Sequence, residues 1–340
     1  MDSAIPASLL EVRGLRTHFY TDEGIAPAVD GLDLDILPGQ TLGLVGESGC
    51  GKSVTGLSLL RLVAPPGRIV GGEIRMRGQN LLDLSAKEMR KLRGEQIAMI
   101  FQEPMTSLDP LYPVRDPLLE TLRIHRKMSK REARAKAIEL LTSVGITDAE
   151  RRVDSYPHEL SGGMRQRVMI ASAIACDPSV LIADEPTTAL DVTVQAQILA
   201  LLRRLQAENG MAILLITHNL GIVAENCHQV AVMYAGKIVE RGPMRMLFRN
   251  PRHPYTQGLL RAVPRLDHPV KQPLPTIPGS VPNLLHLPSG CRFRSRCAWA
   301  QAKCAEEEPP LQEVEGGHTA ACWVLPAFTQ PVPVREGETV

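Results

Sequence analysis

The sequence predicts an α/β protein: a mainly parallel sheet flanked by helices, with an antiparallel β layer and a helical subdomain. Three observations predict it. Short apolar runs without polar alternation occur at residues 42–45, 97–101, 180–183 and 213–216, as expected of strands covered on both faces. Near the N-terminus the pattern changes. Leu32, Leu34 and Ile36 alternate with Asp33 and Asp35, and Ile74 and Met76 alternate with Glu73, Arg75 and Arg77, as in half-buried antiparallel strands. Finally, Gly46-Glu47-Ser48-Gly49-Cys50-Gly51-Lys52-Ser53 fits G-x-x-x-x-G-K-[ST] between an apolar run and a helix-forming segment.

The remaining elements follow in chain order. Ala133, Ala137, Leu140, Leu141 and Val144 recur at helical spacing, as do Val194, Ile198, Leu201, Leu202 and Leu205. The first of these helices lies in a helical subdomain expected over about 105–165. Residues 229–241 read as a hairpin turning at Ala235-Gly236. The whole of residues 8–250 is expected to form one unit. A Pro-rich connector is expected over 251–289, where Pro264, Pro269, Pro273, Pro275, Pro278, Pro282 and Pro288 crowd together. A Cys-rich C-terminal region at 290–325 and a loose tail at 326–340 complete the expected organisation.

Composition excludes several function classes. Hydrophobic content of 44% and charged content of 22% are those of a globular protein, and a net charge of +1 offers no global attraction to nucleic acid. Aromatics at 4% provide no stacking patch for bases. The Arg-rich stretch 123–134 is interleaved with Glu132 and reads as a solvated helix face. No run approaches the ~18 apolar residues that span a bilayer, and the first residues lack a basic region followed by an apolar core. A cytoplasmic protein is expected, and any membrane-spanning role falls to other chains.

The phosphate-loop glycines let backbone N–H groups turn inward around phosphate oxygens. Lys52 is placed to reach the outer phosphates and Ser53 to coordinate Mg²⁺. The run at 180–183 leads into Asp184 and Glu185. The first carboxylate is placed to hold Mg²⁺, and the second to orient and deprotonate an attacking water.

Leu160-Ser161-Gly162-Gly163-Met164-Arg165-Gln166-Arg167 decides the kind of nucleotide protein. It resembles the signature of ATP-binding-cassette (ABC) ATPases, in which two cassettes face each other and the signature of one closes on the ATP of the other. The resemblance implies hydrolysis of Mg·ATP by a dimer. Further roles follow from it. Gln102 matches the glutamine that contacts Mg²⁺ and water. Ser161, Gly162, Gly163 and Met164 match the segment that meets the partner's ATP, and Asp191 the loop that crosses the interface. His218 matches the switch histidine on the γ-phosphate. Phe19, or else Tyr20, is expected to stack on adenine. The catalytic group is thus Glu185, His218, Gln102 and Lys52. The ATP-binding group is Phe19, residues 46–53, Gln102 and Asp184, with Mg²⁺ on Ser53, Gln102 and Asp184.

Residues 101–110, 187–195 and 253–260 resemble the oligopeptide/dipeptide/nickel importer cassettes more specifically, most of all the D-type ATPase of dipeptide and oligopeptide importers. This implies a peripheral subunit on the cytoplasmic face of the plasma membrane that powers peptide import. Two permeases, a second related ATPase and, indirectly, an extracytoplasmic binding protein are its implied partners. Nickel or another small solute, or a non-transport role in DNA repair or translation, are the alternatives. Cys291, Cys297, Cys304 and Cys322 lack paired knuckle spacing. Their chemistry admits an iron–sulfur cluster, zinc or free thiols, and the resemblance implies a four-iron, four-sulfur cluster.

Overall fold

A computed structural model describes residues 8–102, 108–263 and 275–327. Its strands are β1 (Leu10–Thr21), β2 (Gly24–Ile36), β3 (Thr41–Val45), β4 (Gly67–Met76), β5 (Gln79–Asn80), β6 (Ile97–Ile100), β7 (Val180–Asp184), β8 (Ala212–Thr217), β9 (Gln229–Tyr234), β10 (Lys237–Pro243), β11 (Gln312–Glu315) and β12 (His318–Ala320). The chain divides into two compact units. One comprises Met1–Leu10, Asp35–Gln40 and Arg75–Leu215, and the other Glu11–Leu34, Thr41–Ile74 and Ile216–Val340.

In the first unit β6 and β7 run parallel, with Ile97 opposite Val180 and Ile100 opposite Ala183. Both strands are buried throughout, which is why their sequences are apolar without alternation. The helical subdomain contains Arg115–Arg126, Lys130–Ser143 and Ala149–Arg152, followed by Gly162–Ile174. Ser129 and Glu132 form a capping box that starts the second helix. Its Ala133, Ala137, Leu140 and Leu141 are buried along one face, the periodicity read from sequence. Asp154 receives both Arg115 and Arg134, tying two of these helices to the loop before the signature. Positions 105–107, where the subdomain was expected to begin, lie outside the described residues.

The second unit holds β3 parallel to β9, then β10, β12 and β11 in that lateral order, with β2-β1-β4 adjacent in another sheet. β9 and β10 form the hairpin expected at Ala235-Gly236, where both residues take positive φ, 44° and 88°. Successive positive φ values match the twist of a tight hairpin.

One segment of the expected connector has a structure of its own. The Pro-rich connector does not begin at 251: Pro254–Arg261 is a helix with Tyr255, Thr256, Gln257 and Leu260 buried. Pro254 sits in its first turn, where a missing N–H costs nothing, so this proline favours a helix. Pro264, Pro269 and Pro273 lie outside the described residues, as does the tail from 328. The Cys-rich region joins the second unit's sheet. β12 pairs antiparallel with β10, Glu240 opposite Ala320 and Arg241 opposite Thr319, so the C-terminal segment is a strand of the second unit's own sheet.

Candidate active site

In the second unit the chain leaves β3 at Val45, turns through the phosphate loop and enters the helix Lys52–Leu59. Gly51 caps that helix at φ 107°, and a Cβ there would lie 2.1 Å from the Ala28 carbonyl oxygen. A side chain is therefore excluded by backbone as well as by conformation. Lys52 is buried and donates from Nζ to the carbonyls of Gly46, at 2.8 Å, and Glu47, at 2.9 Å. Ser48 and Gly49 are exposed at the crest of the loop, and Ser53 is half-buried in the first turn of the helix. Cys50 is buried beneath the loop, and burial pushes its thiol up.

Glu47 is held from two sides. Its backbone N–H donates to Tyr255 Oη at 2.8 Å. Its carboxylate accepts both ends of the Arg296 guanidinium, at 2.6 Å to Oε2 and 3.0 Å to Oε1. Tyr255 packs against Tyr234 and Phe293, with ring centroids 4.7 and 5.4 Å away. His253 caps the Tyr255 helix by accepting the Tyr255 N–H at Nδ1, and complete burial drives its pKa down to about 3, so it is neutral. Below it, the fully buried Glu240 accepts the N–H groups of Arg252 and His253 and faces His318 Nε2 at 2.7 Å.

His218 is exposed immediately after β8, and Asn219 next to it caps the helix Leu220–Asn226. The Thr217 hydroxyl accepts the Asn219 N–H at 3.0 Å, fixing the turn that carries the histidine.

In the first unit, Asp184 is the last residue of β7 and is buried. Glu185 follows at φ 46°, a left-handed conformation unusual for a glutamate. Its Oε2 accepts Gln102 Nε2 at 3.2 Å and the Thr188 hydroxyl at 2.8 Å. The glutamine and the glutamate, widely separated in sequence, are thus brought into one hydrogen-bonded group at adjacent strand ends.

Ser161 caps the helix Gly162–Ile174 by accepting the Met164 N–H, and Asp191 caps Val192–Asn209 by accepting the Val194 N–H. The two helix starts pack together. A Cβ on Gly163 would lie 2.8 Å from Val194 Cγ1, and one on Gly162 3.6 Å from Leu190. Ser161, Gly162 and Asp191 are exposed, and Val192 is 81% exposed. The pair offers a free helix N-terminus, suited to a phosphate, beside an uncovered apolar side chain.

Phe19 is corrected. Its ring packs against Gly67 and lies beside Val63, both beyond the C-terminal end of the helix that the phosphate loop opens. A Cβ on Gly67 would meet Cε1 at 2.7 Å, so the ring fills a packing gap. Tyr20 is exposed beneath the Arg68 guanidinium. Neither aromatic is joined to the phosphate loop.

Cys291, Cys297, Cys304 and Cys322 border one small cavity with Phe293, Trp299 and Trp323. Cys322 Sγ accepts the N–H groups of Val324 and Leu325 at 3.4 Å, and Cys304 Sγ that of Gln301 at 3.5 Å. Burial, reinforced by the neighbouring thiols, pushes Cys291 up to about 11. Among the described residues, however, no group of three or more His, Cys, Asp or Glu side chains is gathered as a set for one metal ion.

The residues that sequence reasoning missed are Tyr255 and Arg296. Both stood inside segments already singled out, the His253-Pro254-Tyr255 run and the cysteine region. Their signal was chemical: a charged residue between two cysteines and a tyrosine opening a buried helix.

Residues 29–188 match the family described as "ABC transporter", and residues 239–304 match "Oligopeptide/dipeptide transporter, C-terminal region". The chain is 53% identical over 316 residues to a probable peptide ABC transporter ATP-binding protein, y4tR, of Sinorhizobium fredii, covering 93% of this chain and 94% of that protein. It is 54% identical to a putative peptide import ATP-binding protein of Brucella melitensis, covering 92% and 96%. Among solved structures it is similar to the dimeric post-hydrolysis state of the ATP-binding cassette MJ0796 bound to ADP and Pi, with TM-score 0.63, 27% identity, and 69% of this chain and 99% of that one covered. It is also similar to cbiO1 of Clostridium perfringens, with TM-score 0.60, 29% identity, and 71% and 90% covered.

Proposed function

Because the chain belongs to the ABC transporter family, with the C-terminal region of the oligopeptide/dipeptide transporters, we propose that it is the ATP-hydrolysing subunit that powers peptide import through membrane permeases. The observation that carries the reading is the joint match of cassette and C-terminal region to peptide-import relatives over nearly the whole chain. The chain is an ATPase, and its substrate is Mg·ATP. Among the described residues no helix is long and apolar enough to cross a membrane, so permease chains provide the path. Phe101, Leu111 and Tyr112 are exposed apolar side chains that such a partner could cover. The cytoplasmic face of the plasma membrane is where ATP meets it.

The residue roles follow from their chemistry. Lys52 and the loop amides bind phosphate, and Ser53, Gln102 and Asp184 hold Mg²⁺. Glu185, tethered by Gln102 and Thr188, takes the proton of the attacking water, and His218 hydrogen-bonds the γ-phosphate. Ser161, Gly162, Gly163 and Met164, with Asp191, complete the site of a second cassette. A related second ATPase rather than a copy of this chain is the partner we favour. Purification of the tagged chain from gently solubilised host membranes tests the reading. Two multi-span permeases and a related ATPase should co-purify; ribosomal or DNA-repair components without a membrane chain would overturn transport.

For the cysteines we propose a four-iron, four-sulfur cluster. A single Zn²⁺ needs its thiolates at about 2.3 Å from one point, and among the described residues no such set is gathered. A cluster binds its thiolates on different irons, so they stand farther apart. Four thiols around one cavity, with amides donating to two of the sulfurs, suit that donor set. Cys297→Ser should reduce iron and acid-labile sulfide in anaerobically purified protein to below about half of wild type. Equal contents in both proteins would refute the cluster.

A further inference from the structure

The cassette motifs assign no role to Arg296, yet it touches the phosphate loop directly. Its side chain is only 3% exposed, although it carries a full charge. All three guanidinium nitrogens donate. Nε donates to the Pro278 carbonyl at 2.8 Å, Nη1 to Glu47 Oε2, and Nη2 to Glu47 Oε1 and the Ile277 carbonyl. The guanidinium also sits 5.8 Å from the Tyr234 ring centroid and 5.9 Å from that of Phe293. A planar fork held this way is a rigid fixture, and the group it fixes is the second residue of the loop.

We infer that Arg296 is a positioning residue for ATP binding: from the C-terminal region it latches Glu47 and so sets the phosphate loop in its binding shape. Two physical effects act together, and both rest on this chain being an ATPase. The bidentate pair, with the Glu47 N–H to Tyr255, holds the first turn of the loop, so the amides beyond it need little ordering when phosphate arrives. The guanidinium also neutralises a carboxylate that would otherwise stand unpaired in a loop built for a polyanion. Arg296 touches no reacting atom in this role; it acts through Glu47.

An anchor that only staples the C-terminal region to the unit predicts something different. Its loss lowers the fraction of folded molecules and leaves the affinity of the survivors alone. Titration calorimetry of the full chain with Mg·ATP separates the two, because affinity and stoichiometry are read independently. Arg296→Ala should raise Kd about tenfold with stoichiometry unchanged, the loss of a charge-assisted pair that holds the loop. Adding Glu47→Ala to it should recover part of that loss, because the unpaired carboxylate is gone. Arg296→Lys keeps the charge and stem but not the fork, so it should give an intermediate Kd and carries the test if the alanine variant does not fold.

Unchanged Kd in both Arg296 variants, or further loss when Glu47→Ala is added, would overturn the inference while leaving the ATPase standing. A wild-type chain that binds no Mg·ATP would overturn both together.

Discussion

Glu185→Gln should leave Mg·ATP binding intact while turnover falls by at least about a hundredfold, the usual contribution of a positioned general base. The carboxylate is held ready, with Gln102 Nε2 at 3.2 Å and the Thr188 hydroxyl at 2.8 Å both donating to the same oxygen, Oε2. The left-handed backbone at φ 46° aims the side chain from the strand end and is not altered by the substitution. The amide keeps the shape and an acceptor but cannot take a proton, so the change isolates proton transfer. Steady-state phosphate release and nucleotide binding measured on one preparation check it. Undiminished release would remove Glu185 from the base role.

Gly51→Ala should instead cripple nucleotide binding, raising the dissociation constant by more than about a hundredfold. The added methyl would fall 2.1 Å from the Ala28 carbonyl oxygen, and backbone cannot swing aside as a side chain can. A positive φ of 107° adds strain of its own. Relief requires the helix start to move, carrying Lys52 and Ser53 with it, and a displacement of about 1 Å costs on the order of a hundredfold at such a site. Gly49→Ala is the matched comparison. It has positive φ, 76°, but no atom within 4 Å of the new methyl, so only the strain remains. Similar losses in the two variants would mean that conformation, not the carbonyl contact, governs the loop.

Much of this was legible before any coordinates. Buried strands showed themselves as unbroken apolar runs because both faces are covered: 42–45, 180–183 and 213–216 became β3, β7 and β8 with bounds moved by one residue at most. The turn was visible through Gly236, which takes positive φ freely; Ala235, at φ 44°, carries no such signal. Gln102 and Glu185 could be paired by motif, and the hydrogen bond between them is now visible. What did not show was anything that depends on who packs against whom. Phe19 and Tyr20 are adjacent aromatics on one strand, and nothing in their spacing tells which ring fills the gap at Gly67. The helix at Pro254–Arg261 fell inside the expected connector because proline suits both an extended chain and a helix start. Arg296 was invisible as a functional residue because its partner lies at the other end of the sequence, and ion pairing leaves no periodicity.

The second unit is assembled from three separate stretches of chain, Glu11–Leu34, Thr41–Ile74 and Ile216–Val340, whereas Arg75–Leu215 supplies most of the first in one piece. On the ribosome the first unit's residues are therefore all made by Leu215, whereas the second still awaits the stretch from Ile216 onward. Synthesis proceeds at about 5–20 residues per second, so the phosphate-loop strand emerges early and waits roughly tens of seconds for the strands that flank it. β9 and β10 arrive first, and β12 joins β10 only after the cysteine segment has been made. A nascent chain halted before Arg296 already contains every residue from Gly46 to Ser53, and Tyr255 as well, but lacks the guanidinium that pairs with the Glu47 carboxylate. The nucleotide loop is thus among the first segments translated and among the last to be set.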